Sequence, residues 1–202
     1  METLKPKAPL FSNRALVNLT VPIALNSLMA IFMGMADSIM VSTAGAAAVS
    51  AVSLVDAINN VFTTAFDAIP VGGSIVTSQY IGARQYDKAR GSIRQILYSG
   101  FTIALLCMVL LLCLRKQVLH LVYGSIEQDV FDNAVTYFTL TLISFPFLVI
   151  GCTGTATLRA MAKSRQAVTI TITANAMNVV GNAILIYGFK MGVAGAAIAT
   201  TF

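Results

Sequence analysis

The sequence predicts an all-α integral membrane protein, and three observations lead there. Hydrophobic residues make up 57% of the 202-residue chain and charged residues only 10%, against about 25% charged in a soluble domain. The mean hydropathy is +0.81, and the apolar residues gather in successive stretches, several longer than the ~20 residues that cross a bilayer. The cations fall between these stretches rather than within them.

The elements follow in order. Met1–Ser12 is polar, and no small-residue cleavage site follows a short apolar core, so no removable signal peptide is expected. Residues 1–14 are read as a cytoplasmic N-terminal segment and 15–202 as one transmembrane lobe. Apolar helices are predicted over 15–43, 47–81, 92–114, 131–158 and 166–188, with a sixth starting near Val193 and cut off at Phe202. This makes five complete transmembrane helices and the start of a sixth. Thr43-Ala44-Gly45 closes the first, and Gly82 to Lys88 forms a polar turn after the second. An acidic loop with Glu127, Asp129 and Asp132 precedes the fourth, and Gly188 and Gly192 bracket the last turn. Pro22 in the first helix and Pro70, with Gly72 and Gly73, in the second are candidate bends, since proline removes a backbone hydrogen bond. Ending inside an apolar segment suggests the N-terminal part of a longer protein.

Charge sets the expected orientation. Ten of the thirteen lysines and arginines lie before the first helix or in the second–third and fourth–fifth loops. The positive-inside rule places those segments and the N-terminus in the cytoplasm. The +5 net charge is therefore topological and implies no nucleic-acid partner. The expected location is the plasma membrane or bacterial inner membrane, crossed several times. Cys107, Cys113 and Cys152 sit in apolar runs without metal-ligand spacing, so they read as small buried hydrophobes. No metal cluster, nucleophile–base pair or phosphate loop points to an enzyme, and no cofactor is implied.

Polar residues inside the helices carry the functional signal. Asp37 lies in a stretch, Ala15 to Thr43, that has no lysine or arginine. Intramembrane acids are costly and normally face a protein interior or watery cavity. On the fifth helix, Thr171, Asn175, Asn178 and Asn182 recur at helical spacing and share a face. On the second, Ser53, Asp56, Asn60, Thr63, Asp67, Ser74 and Ser78 recur similarly. Asp56 and Asp67 are eleven residues apart, close to three turns, as are Asn26 and Asp37. The serines and threonines fit interhelical hydrogen bonding; the asparagines and acids fit a hydrated cavity better. Asn26, Asp56, Asn60, Asp67 and Asn175 are accordingly cavity-lining candidates. Met29, Met33, Met35 and Met40 offer an adaptable apolar surface. Asp37 lies 23 residues past Arg14 and Asn182 17 past Arg165, roughly 35 Å and 25 Å along a helix. Tyr137 and Thr200 fall in the same outer half.

Leu19-Thr-Val-Pro22, Met35-Ala-Asp37-Ser-Ile-Met-Val41 and Ser78-Gln-Tyr-Ile-Gly-Ala83 with Tyr86-Asp-Lys-Ala89 resemble the first two helices of the multidrug and toxic compound extrusion transporters. Thr157-Leu-Arg159-Ala160, the Asn178 to Gly188 segment and Met191 to Thr200 continue the resemblance across essentially the whole chain. It implies the N-terminal six-helix lobe of a two-lobe secondary antiporter, exporting cationic or amphipathic small molecules in exchange for H⁺ or Na⁺. The bilayer and a C-terminal lobe would be its partners. The family's first-lobe cation site, carried over by position, falls on Asp37, Tyr137, Asn178, Asn182 and Thr200. Asn182 departs from the pattern, standing where those members carry a second acid, so Asp37 is expected to be the pocket's single carboxylate. No metal site is firm; Na⁺ at Asp37 and protonation of Asp37 both stay open. The rival readings are a lipid-linked oligosaccharide flippase of the same superfamily and, in a different class, a channel or a non-transporting helical bundle.

Overall fold

The computed structural model describes residues 13–43, 45–124, 126–189 and 191–201. The N-terminal segment 1–12 lies outside the described residues, as do the side chains of Pro22, Asn26 and Met29 and the whole of Lys190. Six helices follow one another: α1 (Asn13–Ser42), α2 (Ala46–Gly82), α3 (Tyr86–Tyr123), α4 (Gln128–Ala160), α5 (Ser164–Ala183) and α6 (Gly192–Thr201). A five-residue π-helical turn, Ile184–Gly188, extends α5. Among the described residues, four helical segments (α2, α3, α4, and α5 with its π turn) are long and apolar enough to cross a membrane, while α1 has a shorter apolar segment, Ile31–Ser42.

The helices run longer than the apolar stretches alone indicate. The third covers 86–123 rather than 92–114 because Tyr86 to Arg94, although polar, continues the same helix. Once a helix is nucleated, adding turns is cheap. At 38 residues α3 is roughly 57 Å long, well beyond the ~30 Å hydrocarbon core. Two turns close with a non-glycine residue in the left-handed region, Arg84 (φ 58°) and Ala162 (φ 58°). In both, the next amide reaches back to the carbonyl five residues earlier, Gln85 to Tyr80 and Lys163 to Leu158. Those bonds satisfy helix-end carbonyls that would otherwise be orphaned.

Packing divides the bundle unevenly. The helices α2, α3 and α4 pack together, α1 pairs with α5, and α6 lies against α4. The central helix is α4: Phe138, Leu142, Phe145 and Val149 are essentially buried. Phe145 meets Phe66 edge-on at 5.2 Å and Phe62 at 5.9 Å. Most serines and threonines on α2 do not join helices. Thr63, Thr64, Ser74 and Ser78 donate to carbonyls of their own helix, which already offers an acceptor one turn back. Elsewhere on α2, Thr77 pairs with Ser92 on α3 at 3.1 Å, and Asn59 donates to Thr141 on α4 at 3.1 Å.

Close approach here depends on small residues, as it does generally where lipid replaces water. A Cβ added at Gly100 would stand 2.8 Å from Val149 Cγ1. Gly100→Val is therefore expected to wedge α3 from α4 and destabilise the fold by about 1–3 kcal/mol. Thermal unfolding in detergent reads this, and Val149→Ala in the same chain is expected to recover part of the loss.

Candidate functional site

Three turns of sequence logic bring polar groups to one end of the bundle. Asp37 sits near the end of α1, and Asp56 lies ten residues into α2. Tyr137 lies early in α4, Asn178 and Asn182 late in α5, and Thr200 late in the short α6. Five helices thus contribute to a cavity of about 680 Å³.

Two hydrogen-bonded arms line it. In the first, the Asn182 amide Nδ2 donates to Asp37 Oδ1 at 2.6 Å and to Asn178 Oδ1 at 3.0 Å. Asn178 in turn donates to the Ala199 carbonyl of α6 at 3.0 Å. This ties α1, α5 and α6 together through side chains at positions 37, 178 and 182. Asn182 is only 1% exposed, and its Oδ1 has no partner. In the second arm, the Tyr137 hydroxyl donates to Asp56 Oδ1 at 3.0 Å, joining α4 to α2. Tyr137 is itself buried, 4% exposed.

The cavity is therefore not a one-acid pocket. Asp56 lines it together with Asp37. The expectation of a single carboxylate considered only residues at matching depth on α1, α4, α5 and α6; α2 supplies the second. Asn60 and Asn175 also line the cavity, as does Thr200, whose hydroxyl donates to Ala196 O at 2.8 Å. Asp67 does not. Its offset from Asp56 preserves direction but moves it ~16 Å along α2, where it is exposed and neighbours Cys152. Asn26 falls outside the described side chains. Of the methionines, Met33 lines the cavity, whereas Met35 faces outward and Met40 packs on the core.

Asn59 and Thr141 were missed by sequence reasoning. Asn59 stands one turn beyond Asp56, a spacing that flags it, and it is this residue rather than Asn60 that reaches α4. Among the described residues no lysine or arginine lines the cavity. Acceptor oxygens and negative charge suit a small cation or an organic cation and do not suit a phosphate group.

The MatE family model matches residues 22–184, most of the chain. This chain belongs to the MatE family. An uncharacterized transporter of Bacillus subtilis, YisQ, is 28% identical over 96% of this MatE chain and 43% of its own length. The multidrug export protein MepA of Staphylococcus saprophyticus is 24% identical, covering 93% of the chain and 41% of its own. A solved outward-facing multidrug resistance MATE transporter of the MOP superfamily superposes with a TM-score of 0.83 at 24% identity. That match covers 92% of the chain and 41% of the transporter, and it shows the shared fold. The MatE chain thus spans about two fifths of the length of the relatives it matches. The π turn beside Asn182 belongs to this region as well: Gly195 of α6 packs so closely on Leu185 that an added Cβ would stand 3.1 Å from its backbone.

Proposed function

We propose that this chain is the first lobe of a secondary multidrug antiporter, with H⁺ or Na⁺ as the coupling ion and cationic or amphipathic molecules as cargo. In this reading α1 completes a fifth membrane crossing, α6 begins the sixth, and a second lobe faces the cavity across the bilayer. The protein lies in the cell membrane with its N-terminus in the cytoplasm, as the distribution of lysine and arginine supports.

The observation that carries the proposal is the Asp37–Asn182 bond at 2.6 Å in a cavity whose described walls hold no cationic side chain. A carboxylate there has a donor on one oxygen and needs a cation or proton to neutralise it. Asp37 is the coupling acid; Asn178 and Asn182 orient it, and Tyr137 and Thr200 contribute oxygens from α4 and α6. Ion binding changes which arrangement of helices is lower in energy, so the ion gradient biases the cavity toward one side of the membrane. Asp56, Asn60 and Asn175 line the path of the cargo. Pro22 and Pro70 are the proposed bending points of α1 and α2.

The test is efflux of a fluorescent organic cation from vesicles containing the complete transporter. An imposed H⁺ or Na⁺ gradient is expected to drive accumulation against the cargo's own gradient, and ionophores that collapse it are expected to stop this. Flux that ignores both ionophores and never exceeds equilibrium would mark a channel instead.

A further inference from the structure

A second cleft, of about 440 Å³, opens between α4 and α5 and is lined by Leu158, Arg165, Gln166, Thr169 and Ile170. Helical spacing sets its direction. Ala174, Asn175, Asn178 and Asn182 turn one face of α5 to the cavity, and the cleft residues of α5 occupy the opposite face. Leu158 and the half-exposed Ile170 give the cleft an apolar wall, and Arg165, in the first turn of α5, gives it a cationic end. Arg159, Lys163 and Arg165 fall within seven residues, and Asp132 is the last acid in the sequence. Among the described residues the one ion pair is Arg90 with Asp87, at the start of α3. Arg159 bends back onto Thr155 of its own helix at 3.3 and 3.2 Å. Lys163, Arg165 and Gln166 make no side-chain hydrogen bond among the described residues.

We propose that this cleft holds an anionic phospholipid of the cytoplasmic leaflet. Arg165 and Gln166 take its phosphate, Lys163 adds charge beside them, and an acyl chain lies along Leu158 and Ile170. The choice of leaflet rests on the orientation proposed above; the binding itself does not rest on antiport. A guanidinium offers paired N–H donors that match phosphate oxygens, and basic pockets between membrane helices on the cytoplasmic side take acidic headgroups for this reason. A free phosphate would meet the same donors but leave the apolar wall bare, whereas a lipid satisfies both ends of the cleft at once. The other basic loop differs in carrying its own acid, Asp87, among Arg84, Lys88, Arg90 and Arg94. The lipid also has a mechanical role. Among the described residues α5 buries only Ala167 and Asn182, so a lipid wedged against α4 braces the helix that holds the asparagines of the cavity.

The test is native mass spectrometry of the complete transporter, delipidated in detergent. It is titrated with phosphatidylglycerol, with phosphatidylcholine of the same chains, or with inorganic phosphate. The wild type is expected to retain phosphatidylglycerol in preference to phosphatidylcholine. Arg165→Gln is expected to weaken that retention about fivefold, or ~1 kcal/mol, and Arg165→Gln with Lys163→Gln about 25-fold. Lys88→Gln with Arg94→Gln removes equal charge from the other basic loop and is expected to change nothing. Ile170→Trp fills the cleft without altering charge and is expected to expel the lipid, which keeps the question decidable if the arginine variant does not fold. Equal losses from both loops would reduce the effect to overall surface charge and overturn the site. Equal retention of phosphatidylcholine overturns headgroup recognition, and displacement by inorganic phosphate marks a free-anion site instead. A wild type that retains neither lipid overturns the proposal and leaves the cleft to the second lobe. No transport is read, so these results and those of the efflux assay fail independently.

Discussion

Asp37→Asn is expected to abolish ion-driven efflux while leaving the protein folded. The amide has nearly the shape of the carboxylate, and its oxygen still accepts the hydrogen bond from Asn182 that now measures 2.6 Å. What disappears is the charge. An amide neither takes up a proton near neutral pH nor balances a cation, so the ion no longer distinguishes the two arrangements of the helices. Losing the charge that balances the ion is expected to weaken ion binding by about tenfold or more, equivalent to about 1.4 kcal/mol. Coupled initial rates are therefore expected to fall by about that factor or more, with passive leak of cargo unaltered. Asp37→Glu keeps the charge but lengthens the arm, so partial activity is expected. Initial rates in vesicles under an imposed gradient check both variants, and wild-type coupling in Asp37→Asn would remove this residue from the mechanism.

Asn182→Asp is expected to make stability strongly dependent on a bound cation. The substitution replaces the donor facing Asp37 with an acceptor, at a contact of 2.6 Å. Two carboxylates that close cannot both stay ionised and unshielded, so the variant needs a proton or Na⁺ between them. A ligand that binds only the folded state stabilises it by about 2.7 kcal/mol at a hundred times its dissociation constant. The melting temperature of Asn182→Asp is therefore expected to rise with Na⁺ more steeply than that of the wild type. Asn182→Leu gives the opposite control. It leaves Asp37 and Asn178 without the amide they share, and loses about 1–3 kcal/mol with no cation dependence. A melting temperature for Asn182→Asp that ignores Na⁺ and pH alike would separate residues 37 and 182 functionally.

Much of this architecture is local and therefore legible in the residues. A membrane helix satisfies its backbone internally, so apolar length, glycine turns and the placement of lysine and arginine suffice to order the helices. Helix ends were less legible: the polar start of α3 and the π turn after α5 lie where hydropathy carries no signal. The residues around the cavity were anticipated one helix at a time, because an intramembrane acid or asparagine is costly wherever it sits. Asp37, Tyr137, Asn178, Asn182 and Thr200 do line one cavity.

What the sequence alone determined is the all-α membrane class, the order of the helices and the set of polar positions that demand a partner. Which position meets which was decided by the tertiary structure. Asp37 and Asn182 are 145 residues apart, and Asp56 and Tyr137 81 apart. Their meeting depends on how each helix is rotated and how near its neighbour stands, and small contacts such as Gly100 against Val149 set that spacing. Asp56 and Asp67 make the difference plain. Periodicity gives both the same direction on α2, yet the cavity reaches only Asp56, because a repeat along one helix carries no record of where the surrounding helices leave space.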